Sequence, residues 1–365
     1  MGSPLRVLHV VVNMNRGGAE TFIINLYRNV DRREVQFDFL TCKEGTFDSE
    51  IREMGGIVHR IPYISDVGHS QYIKELHSFF TANNHYKIVH SHMDKMGGIV
   101  LRAAKKAGIP IRISHSHNTR SEGGLAARIY KWYAGKSITP NATHLLACST
   151  EAAKWLFHKK YPVTKIVKNG IDEEKFRFSP VIRNQVREEL GISQHTFVIG
   201  HVGRFNYQKN HTFLIDLFSQ FHKVEEDSKL ILVGDGPLRG EMEKKISELH
   251  LQNHVHFLGI RSDIHRLLQA FDLFLFPSLH EGLPVSLIEA QGAGLPCLIS
   301  DHISQEVDMG MNLVRYASLK NGEDWVEKMK ALKVRQVNRS QVFNDDYNIK
   351  RSVNDLEKFY LATVR

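Results

Sequence analysis

The sequence has few cysteines and no long apolar run. Among its 365 residues only three are cysteine, and Cys42, Cys148 and Cys297 form no CxxC pair, which excludes a disulfide framework and a thiolate zinc site. No apolar run approaches the roughly 18 residues that a membrane-spanning helix needs. Residues 1–20 also lack a charged start followed by an apolar signal core. We therefore expect a folded protein of the reducing cytoplasm.

Acidic residues are scarce in the N-terminal half. Residues 1–175 hold 25 of the 48 Lys and Arg but 16 of the 40 Asp and Glu, which favours an anionic partner. No zinc finger, RNP motif or basic-region helix accompanies this charge, so we expect no nucleic acid. Residues 126–136 mix cations with Trp132 and Tyr133, which suits the headgroups of an anionic membrane, and peripheral association with its inner face is expected. A solvated helix with buried aromatics explains the segment equally well.

Short apolar runs alternate with helical patterns along the chain. Residues 5–12, 35–40, 88–90 and 111–114 are predicted strands of a first series, and 197–202, 230–233, 255–258, 273–276 and 296–299 those of a second. This rhythm predicts an α/β protein with two parallel sheets, each covered by helices. We expect domains at 1–175 and 176–345, a cleft between them, and an amphipathic C-terminal segment, 346–365, packed back on the first domain.

Ligands of open α/β sheets bind beyond the carboxyl ends of the strands, so the loops there carry the chemistry. Gly17 and Gly18 follow the first strand, where they suit an anion at a helix start or a plain tight turn. Gly203-Arg204 and Lys209 place two cations after another strand, where they neutralise a diphosphate or are simply solvated. Residues 234–237, Gly-Asp-Gly-Pro, form either a structural turn or a ligand loop.

Residues 278–289 are the most informative loop. Pro284 fits the first turn of a helix, so Gly282 and Leu283 are expected to present backbone N–H groups. Glu281 and Glu289 flank that helix start. Paired carboxylates bind sugar or ribose hydroxyls or perform acid/base chemistry, although an isolated pair is usually surface charge.

Taken together, these motifs resemble the retaining glycosyltransferases of family 4, which have the GT-B fold of two facing Rossmann-like domains. Glu281 to Glu289 resembles the family's E-x7-E motif, and Gly203-Arg204 with Lys209 resembles its diphosphate site. Residues 17–20 (Gly-Gly-Ala-Glu), 169–172 (Asn-Gly-Ile-Asp) and 234–237 match further family positions in the family's order. The resemblance covers nearly the whole chain.

The resemblance implies a role for each matched residue. Arg204 and Lys209 would stabilise the diphosphate as its bond to the sugar breaks. Glu289 would hold the ribose hydroxyls, and Glu281 with the backbone of Gly282 and Leu283 would hold the donor sugar. The remaining donor-site positions are Gly17, Gly18, Gly203, Gly234, Gly236 and Pro284. Family members generally work without a metal, so no cofactor is expected.

A histidine in the N-terminal domain lies near the reacting sugar in this family. His115 and His117, in His115-Ser116-His117-Asn118, both compete for that role here, and His117 is slightly favoured. A similar cluster, His90-Ser91-His92, follows the preceding strand. Because His-x-His is also a metal-ligand pattern, a metal-dependent hydrolase is the competing interpretation. A sugar-nucleotide epimerase of the same fold is another, which the Glu and Gly-Arg-Lys motifs disfavour.

The resemblance therefore predicts a retaining glycosyltransferase. It is expected to move a hexose or N-acetylhexosamine from a nucleotide diphosphate sugar, UDP-linked in our prediction, to an acceptor hydroxyl. The expected acceptor is a lipid-linked or growing surface polysaccharide of the exopolysaccharide or capsule type.

Overall fold

The computed structural model describes residues 3–121, 123–334, 339 and 343–364. The chain forms two compact units, one of Met1–Gly170 with Asp346–Arg365 and one of Ile171–Asp345. The division after Gly170 comes five residues before the boundary at 175 that the sequence indicated, and residues 346–365 belong to the first unit, where they were expected.

Seven parallel strands form the sheet of the first unit, in the order β3-β2-β1-β4-β5-β6-β7. The strands are β1 Leu5–Val10, β2 Val35–Thr41, β3 Val58–Arg60, β4 Ile88–Ser91, β5 Ile111–Ser116, β6 His144–Ala147 and β7 Lys165–Ile166. The helices are α1 Gly18–Asn29, α2 Asp48–Glu53, α3 Ile64–Ala82, α4 Gly97–Lys106, α5 Leu125–Gly135 and α6 Thr150–Phe157, with α14 Ile349–Thr363 at the end of the chain. Because helices cover the sheet, β2 is buried along its whole length.

The C-terminal helix α14 packs against α1 of the first unit. Its amphipathic face buries Val353, Leu356 and Tyr360, and Gly170 leaves room for the backbone of Ile349. Helix spacing in the sequence places these apolar side chains on one stripe, which explains why the segment is buried against a unit distant in sequence.

In the second unit, six parallel strands pair in the order β10-β9-β8-β11-β12-β13. They are β8 Phe197–Val202, β9 Ser228–Val233, β10 Val255–Gly259, β11 Leu273–Phe276, β12 Cys297–Ser300 and β13 Val314–Ala317. The helices are α7 Glu173–Phe176, α8 Pro180–Glu189, α9 His211–His222, α10 Arg239–Glu248, α11 Ile264–Ala270, α12 Val285–Gly292 and α13 Gly322–Val334. Trp325 is fully buried in the core between α9, α13 and the sheet.

The structure differs from the sequence prediction mainly at short strands. The sequence prediction contained neither β3, β6 nor β7 of the first sheet, nor β13 of the second. Strand β7 has two exposed residues, so no apolar pattern marks it. Strand β5 also runs two residues further than expected, to Ser116, because His115 still pairs with Leu146 of β6. His115, which the predicted bounds place just after the strand, is therefore part of it.

Within the described ranges, none of the helices combines the length and the apolar character that crossing a membrane requires.

Candidate active site

Two glycines allow two loops of the second unit to pack closely at the carboxyl ends of β8 and β9. Gly234 has a φ of 134°, and a Cβ there would overlap the carbonyl of Gly203. A Cβ on Gly236 would lie 2.5 Å from the backbone oxygen of Phe205. Phe205 N–H donates to the oxygen of Asp235 at 3.0 Å, which ties the two loops together. Glycine is thus required by backbone contact at Gly234 and Gly236.

Lys209 and Glu281 form an ion pair between the loops that follow β8 and β11. Lys209 Nζ lies 2.7 Å from Glu281 Oε1, and the two side chains are 14% and 9% exposed. The ammonium also lies 4.6 Å from the centre of the Phe276 ring. A cation enclosed by a carboxylate and an aromatic face is held in one position. The sequence suggested both residues but not that they contact each other.

Backbone and amide contacts fix the geometry of this ion pair. The side chain of Gln208 donates to the oxygen of His280 at 2.8 Å, and Leu279 N–H donates to the oxygen of Gln208 at 2.8 Å. Asn210 adopts a left-handed φ of 56° before α9 and donates to the oxygen of Pro277 at 3.2 Å. These bonds make the loops after β8 and β11 one continuous surface.

Arg204 differs from Lys209 because its side chain is exposed. Its guanidinium makes neither an ion pair nor a hydrogen bond with any residue that the structure describes. A guanidinium with its five donors uncommitted can bind an anionic oxygen bidentately.

Helix α12 carries Glu289, one of two carboxylates predicted here. The helix begins at Val285, and Pro284 is its N-cap rather than part of its first turn, one residue later than predicted. Gly282 and Leu283 therefore belong to the loop before the cap. Glu289 is 8% exposed, and burial raises the pKa of its carboxyl to about 8, although Lys175 opposes this rise. A carboxyl with this pKa changes charge near neutral pH.

Two residues, one of which the sequence prediction missed, leave buried polar atoms beside these loops. His201, on β8, donates from Nδ1 to the oxygen of Leu275 at 2.8 Å. Burial lowers its pKa well below 6.5, so the neutral ring has an acceptor at Nε2, which has no described partner. Ser278 Oγ is likewise buried without a partner among the described residues. A polar residue at a strand's carboxyl end was the available signal for His201.

The other predicted site residues lie in the first unit. Gly17 caps α1, which starts at Gly18, and a Cβ on Gly17 would clash with the side chain of Glu20. One turn later, the ring of Phe22 lies 6.3 Å from the rings of both His115 and His117. The loop after β1 and the end of β5 thus adjoin through α1.

Five histidines and one tyrosine form two hydrogen-bonded chains on one face of this sheet. In the first chain His9 Nδ1 lies 3.0 Å from His92 Nε2, and His92 Nδ1 lies 2.7 Å from His117 Nε2. In the second, the Tyr360 hydroxyl lies 2.6 Å from His90 Nδ1, and His90 Nε2 lies 3.1 Å from His115 Nδ1. His9 and Tyr360 were not predicted from the sequence.

Burial keeps the histidines of these chains neutral. It lowers the pKa of His9 and of His117 to about 3, and that of His90, His92 and His115 well below 6.5. His9, His90 and His92 bring three ring nitrogens within 4.8 Å of one another, as do His92, His115 and His117. Neutral imidazoles at that spacing can bind a metal, but here several of the nitrogens are hydrogen-bonded to each other.

The rings of the two chains also stack on each other. The centres of His90 and His92 are 4.2 Å apart, and those of His115 and His117 are 4.1 Å apart. Imidazole lone pairs lie in the ring plane, so stacked rings direct theirs along similar planes rather than towards one shared point. His117 is partly exposed at the end of its chain, whereas His115 is fully buried.

Two family models match most of the chain. The model of the Glycosyltransferase Family 4 matches residues 16–175, and that of the Glycosyl transferases group 1 matches residues 182–333. The first match contains the histidine chains except His9 and Tyr360, and the second contains the loops with Arg204, Lys209, Glu281 and Glu289.

Two relatives are similar to most or to more than half of the chain. The chain is 40% identical over 324 residues to the putative glycosyltransferase EpsF of Bacillus subtilis, covering 87% of this chain and 84% of the relative. It is 32% identical over 228 residues to the UDP-Gal:alpha-D-GlcNAc-diphosphoundecaprenol alpha-1,3-galactosyltransferase of Escherichia coli, covering 59% of this chain and 58% of that enzyme.

Solved structures support the fold. Anabaena HepE in complex with UDP-glucose superposes with a TM-score of 0.81 at 20% identity, covering 98% of this chain and 99% of HepE. The predicted fold class, GT-B with two Rossmann-like parallel-sheet domains, is confirmed. With these matches and this set of loops, the chain belongs to the group 1 glycosyl transferases of family 4 and is a glycosyltransferase.

Proposed function

We propose that this glycosyltransferase retains the anomeric configuration and moves a hexose or N-acetylhexosamine from a UDP-linked donor. Its acceptor is a lipid-linked or polysaccharide glycan of surface glycan biosynthesis. Support comes from the family motifs, from the E. coli relative, whose name specifies UDP-Gal and a diphosphoundecaprenol-linked acceptor, and from HepE, whose complex contains UDP-glucose.

The pair of cations after β8 is the observation that carries the proposal. When the bond between sugar and diphosphate breaks, negative charge grows on the departing diphosphate. Arg204 has uncommitted donors, and Lys209 is already fixed by Glu281 and Phe276. Preorganised cations stabilise developing charge without reorganising during the reaction, and we propose that they take the place of a metal.

The carboxyl groups and the histidine would orient the substrates. Glu289, buried on α12, is suited to accept hydrogen bonds from the ribose hydroxyls. Glu281 holds Lys209, and we propose that it also binds the donor sugar. Gly203, Gly234 and Gly236 lie where the loops after β8 and β9 pack closely, and we propose that the nucleotide binds beside them. In the first unit, His117 at the exposed end of its chain is the residue proposed to meet the reacting sugar.

A metal-dependent hydrolase is the second candidate, because each of two groups of three histidines brings its ring nitrogens within 4.8 Å of one another, although several of these nitrogens are bonded to each other. Donor turnover and thermal stabilisation measured with UDP-, GDP- and ADP-sugars, with and without a chelator, separate the two. The transferase predicts a chelator-insensitive response to UDP-sugars. No response to any nucleotide sugar, together with hydrolysis that appears on adding zinc, would refute it in favour of the hydrolase.

A further inference from the structure

The Tyr360 hydroxyl fixes the direction of hydrogen bonding in the Tyr360 chain, which consists of Tyr360, His90 and His115. Its oxygen lies 2.6 Å from His90 Nδ1 and forms no other hydrogen bond with the residues that the structure describes. Tyr360 is fully buried, and burial raises the pKa of its hydroxyl well above 10, so the oxygen keeps its proton. A buried hydroxyl proton without an acceptor is costly. The hydroxyl therefore donates, and His90 Nδ1 accepts.

The other proton positions in the Tyr360 chain follow from this first bond. His90 is neutral because burial lowers its pKa well below 6.5, and a neutral imidazole carries one N–H and one lone pair. Since Nδ1 accepts from Tyr360, the His90 proton is on Nε2, which donates to His115 Nδ1 at 3.1 Å. His115 is neutral for the same reason and carries its own proton on Nε2. That nitrogen is buried and has no hydrogen-bond partner in the described part of the chain.

The His9 chain, which consists of His9, His92 and His117, has no hydroxyl at either end. Its bonds join His9 Nδ1 to His92 Nε2 at 3.0 Å and His92 Nδ1 to His117 Nε2 at 2.7 Å. The two end nitrogens, His9 Nε2 and His117 Nδ1, are both buried without a described partner. Either direction of donation leaves one unpaired N–H and one unpaired lone pair, so hydrogen bonding within this chain does not select its direction.

Stacking between the two chains selects the direction of the His9 chain. The ring centres of His90 and His92 are 4.2 Å apart, and those of His115 and His117 are 4.1 Å apart. The bonds that cross from the end of β4 to the end of β5 therefore run side by side in the two chains. Adjacent dipoles attract each other when they point in opposite directions and repel each other when they point the same way. Because the Tyr360 chain donates towards β5, the His9 chain donates away from β5.

We propose that Tyr360 is a positioning residue of the transfer reaction, whose hydroxyl sets the tautomers of both chains and makes His117 a hydrogen-bond acceptor towards the substrate. His117 donates from Nε2 to His92 and offers the lone pair of Nδ1. A lone pair accepts a bond from a sugar hydroxyl, whereas the oxygens of a carboxylate or a phosphate have no proton to give it. The inference rests on the proposed function, in which His117 meets the reacting sugar, and it specifies a hydroxyl as the group that His117 binds.

Nitrogen NMR of the full-length protein, isotopically labelled at histidine and assigned by through-bond correlation to the backbone, measures the tautomer of each ring. The rings expected to carry their proton on Nε2 are those of His9, His90, His92, His115 and His117. His201 is the internal reference with the opposite tautomer, because its Nδ1 donates to the oxygen of Leu275 at 2.8 Å. A His117 proton on Nδ1 would overturn the proposal, as would a His115 proton on Nδ1.

Tyr360→Phe keeps the ring and removes the proton that orders the chains. Both directions of donation then become open, so the signals of His115 and His117 should show both tautomers in comparable amounts. Tyr27→Phe is the matched control, because Tyr27 is also fully buried in the first unit and its hydroxyl donates to the oxygen of Met54 at 3.1 Å. The control loses the same kind of bond and should leave every tautomer unchanged. Unchanged tautomers in Tyr360→Phe, or equal changes in both variants, would overturn the role of Tyr360.

Two variants of His92 extend the test to the reaction. In His92→Asn an amide oxygen can still accept from His117 Nε2, whereas His92→Leu, which has a similar size, provides no acceptor. Donor turnover by the Leu variant should be about two- to tenfold lower than that by the Asn variant, the effect of one neutral hydrogen bond. Equal turnover by the two folded variants would show that the bond to His92 does not position His117.

The NMR measurement needs no substrate, which separates this inference from the proposed function. Protons on Nε2 in a protein that turns over no nucleotide sugar would refute the proposed transfer and leave the order of the two chains standing. Turnover of a UDP-sugar by a protein whose His117 is protonated on Nδ1 would refute only the inference.

Discussion

At the residue scale, Arg204 and Lys209 carry the same charge in different surroundings. Arg204→Ala or Lys209→Ala should lower donor turnover roughly 10²–10³-fold, the usual cost of losing one preorganised charge-stabilising group. The exposed Lys244 of α10 provides the control variant Lys244→Ala, which should leave turnover unchanged. Near-normal turnover of the Arg204 variant would remove it from the proposed site.

The two variants should differ in stability, which makes the turnover result interpretable. Lys209→Ala leaves Glu281 buried without its cation and should lower the melting temperature, whereas Arg204→Ala should not. Combining Lys209→Ala with Glu281→Gln should restore most of the stability without restoring turnover. If stability and turnover recover together, the Lys209 effect is purely structural.

Glu289 gives a pH-dependent prediction at the same scale. Burial raises the pKa of its carboxyl to about 8, so below that pH binding through the carboxylate requires loss of a proton. UDP affinity should therefore rise with pH up to about 8, by at most about tenfold per pH unit. In Glu289→Gln affinity should be weaker and this slope absent. Calorimetric titration of both proteins at several pH values measures the difference, and parallel slopes would contradict the assignment.

At the element scale, strands β1, β4 and β5 bring the five histidines together. In the unfolded chain each histidine has a pKa near 6.5, whereas burial lowers that of His9 to about 3 in the folded state. The unfolded state thus binds more protons below pH 6.5, so the stability is complete above that pH and falls as the pH falls towards 3. As the pH falls from 6.5 to about 5, each such histidine should lower the free energy of unfolding by about 2 kcal/mol.

Denaturant unfolding at pH 7.5 to 5 checks this prediction. His9→Asn should reduce the loss of stability over that interval, whatever its effect on the absolute stability. His302, whose side chain is 51% exposed, supplies the control, and His302→Asn should leave the slope unchanged. A His9 variant that loses stability with the same slope as the unaltered protein would contradict the neutral, buried state of the chain.

Element by element, the pattern of the sequence predicted the long buried strands and missed the short ones. Strands β8 and β11 have the predicted bounds, because β11 is an uninterrupted apolar run and only Gly200 and His201 interrupt the apolar run of β8. Strand β7 has no such run, and its two exposed residues pair with Leu146 and Ala147 of β6. The site loops were predicted because they follow strands and contain glycine, proline and charge, a signal that is local in sequence.

At the scale of the whole molecule, the structure shows where the excess of basic residues lies. The sequence places its excess of basic residues before residue 175, and the structure gathers three of them, Lys74, Arg102 and Lys106, around one cavity. The two units therefore differ electrostatically as well as in sequence, since the second holds 20 Lys and Arg against 24 Asp and Glu, and the first holds 28 against 16. The amino-acid composition predicts only the sign of the charge of a preferred partner, while the positions of the cations determine which partner can bind.

The sequence by itself determined those features that depend on residues close to each other along the chain. Alternating apolar runs specify two parallel-sheet units, and motif spacing specifies the family and the positions of Arg204, Lys209, Glu281 and Glu289. Only the tertiary structure decided that Lys209 contacts Glu281, 72 residues away, and that Tyr360 bonds to His90, 270 residues away. It also decided that α5 exposes Trp132 and Tyr133, so the interpretation of residues 126–136 as a helix with buried aromatics is wrong for these two. These contacts depend on strand order and helix orientation, which arise from packing the whole unit and have no counterpart in local residue patterns.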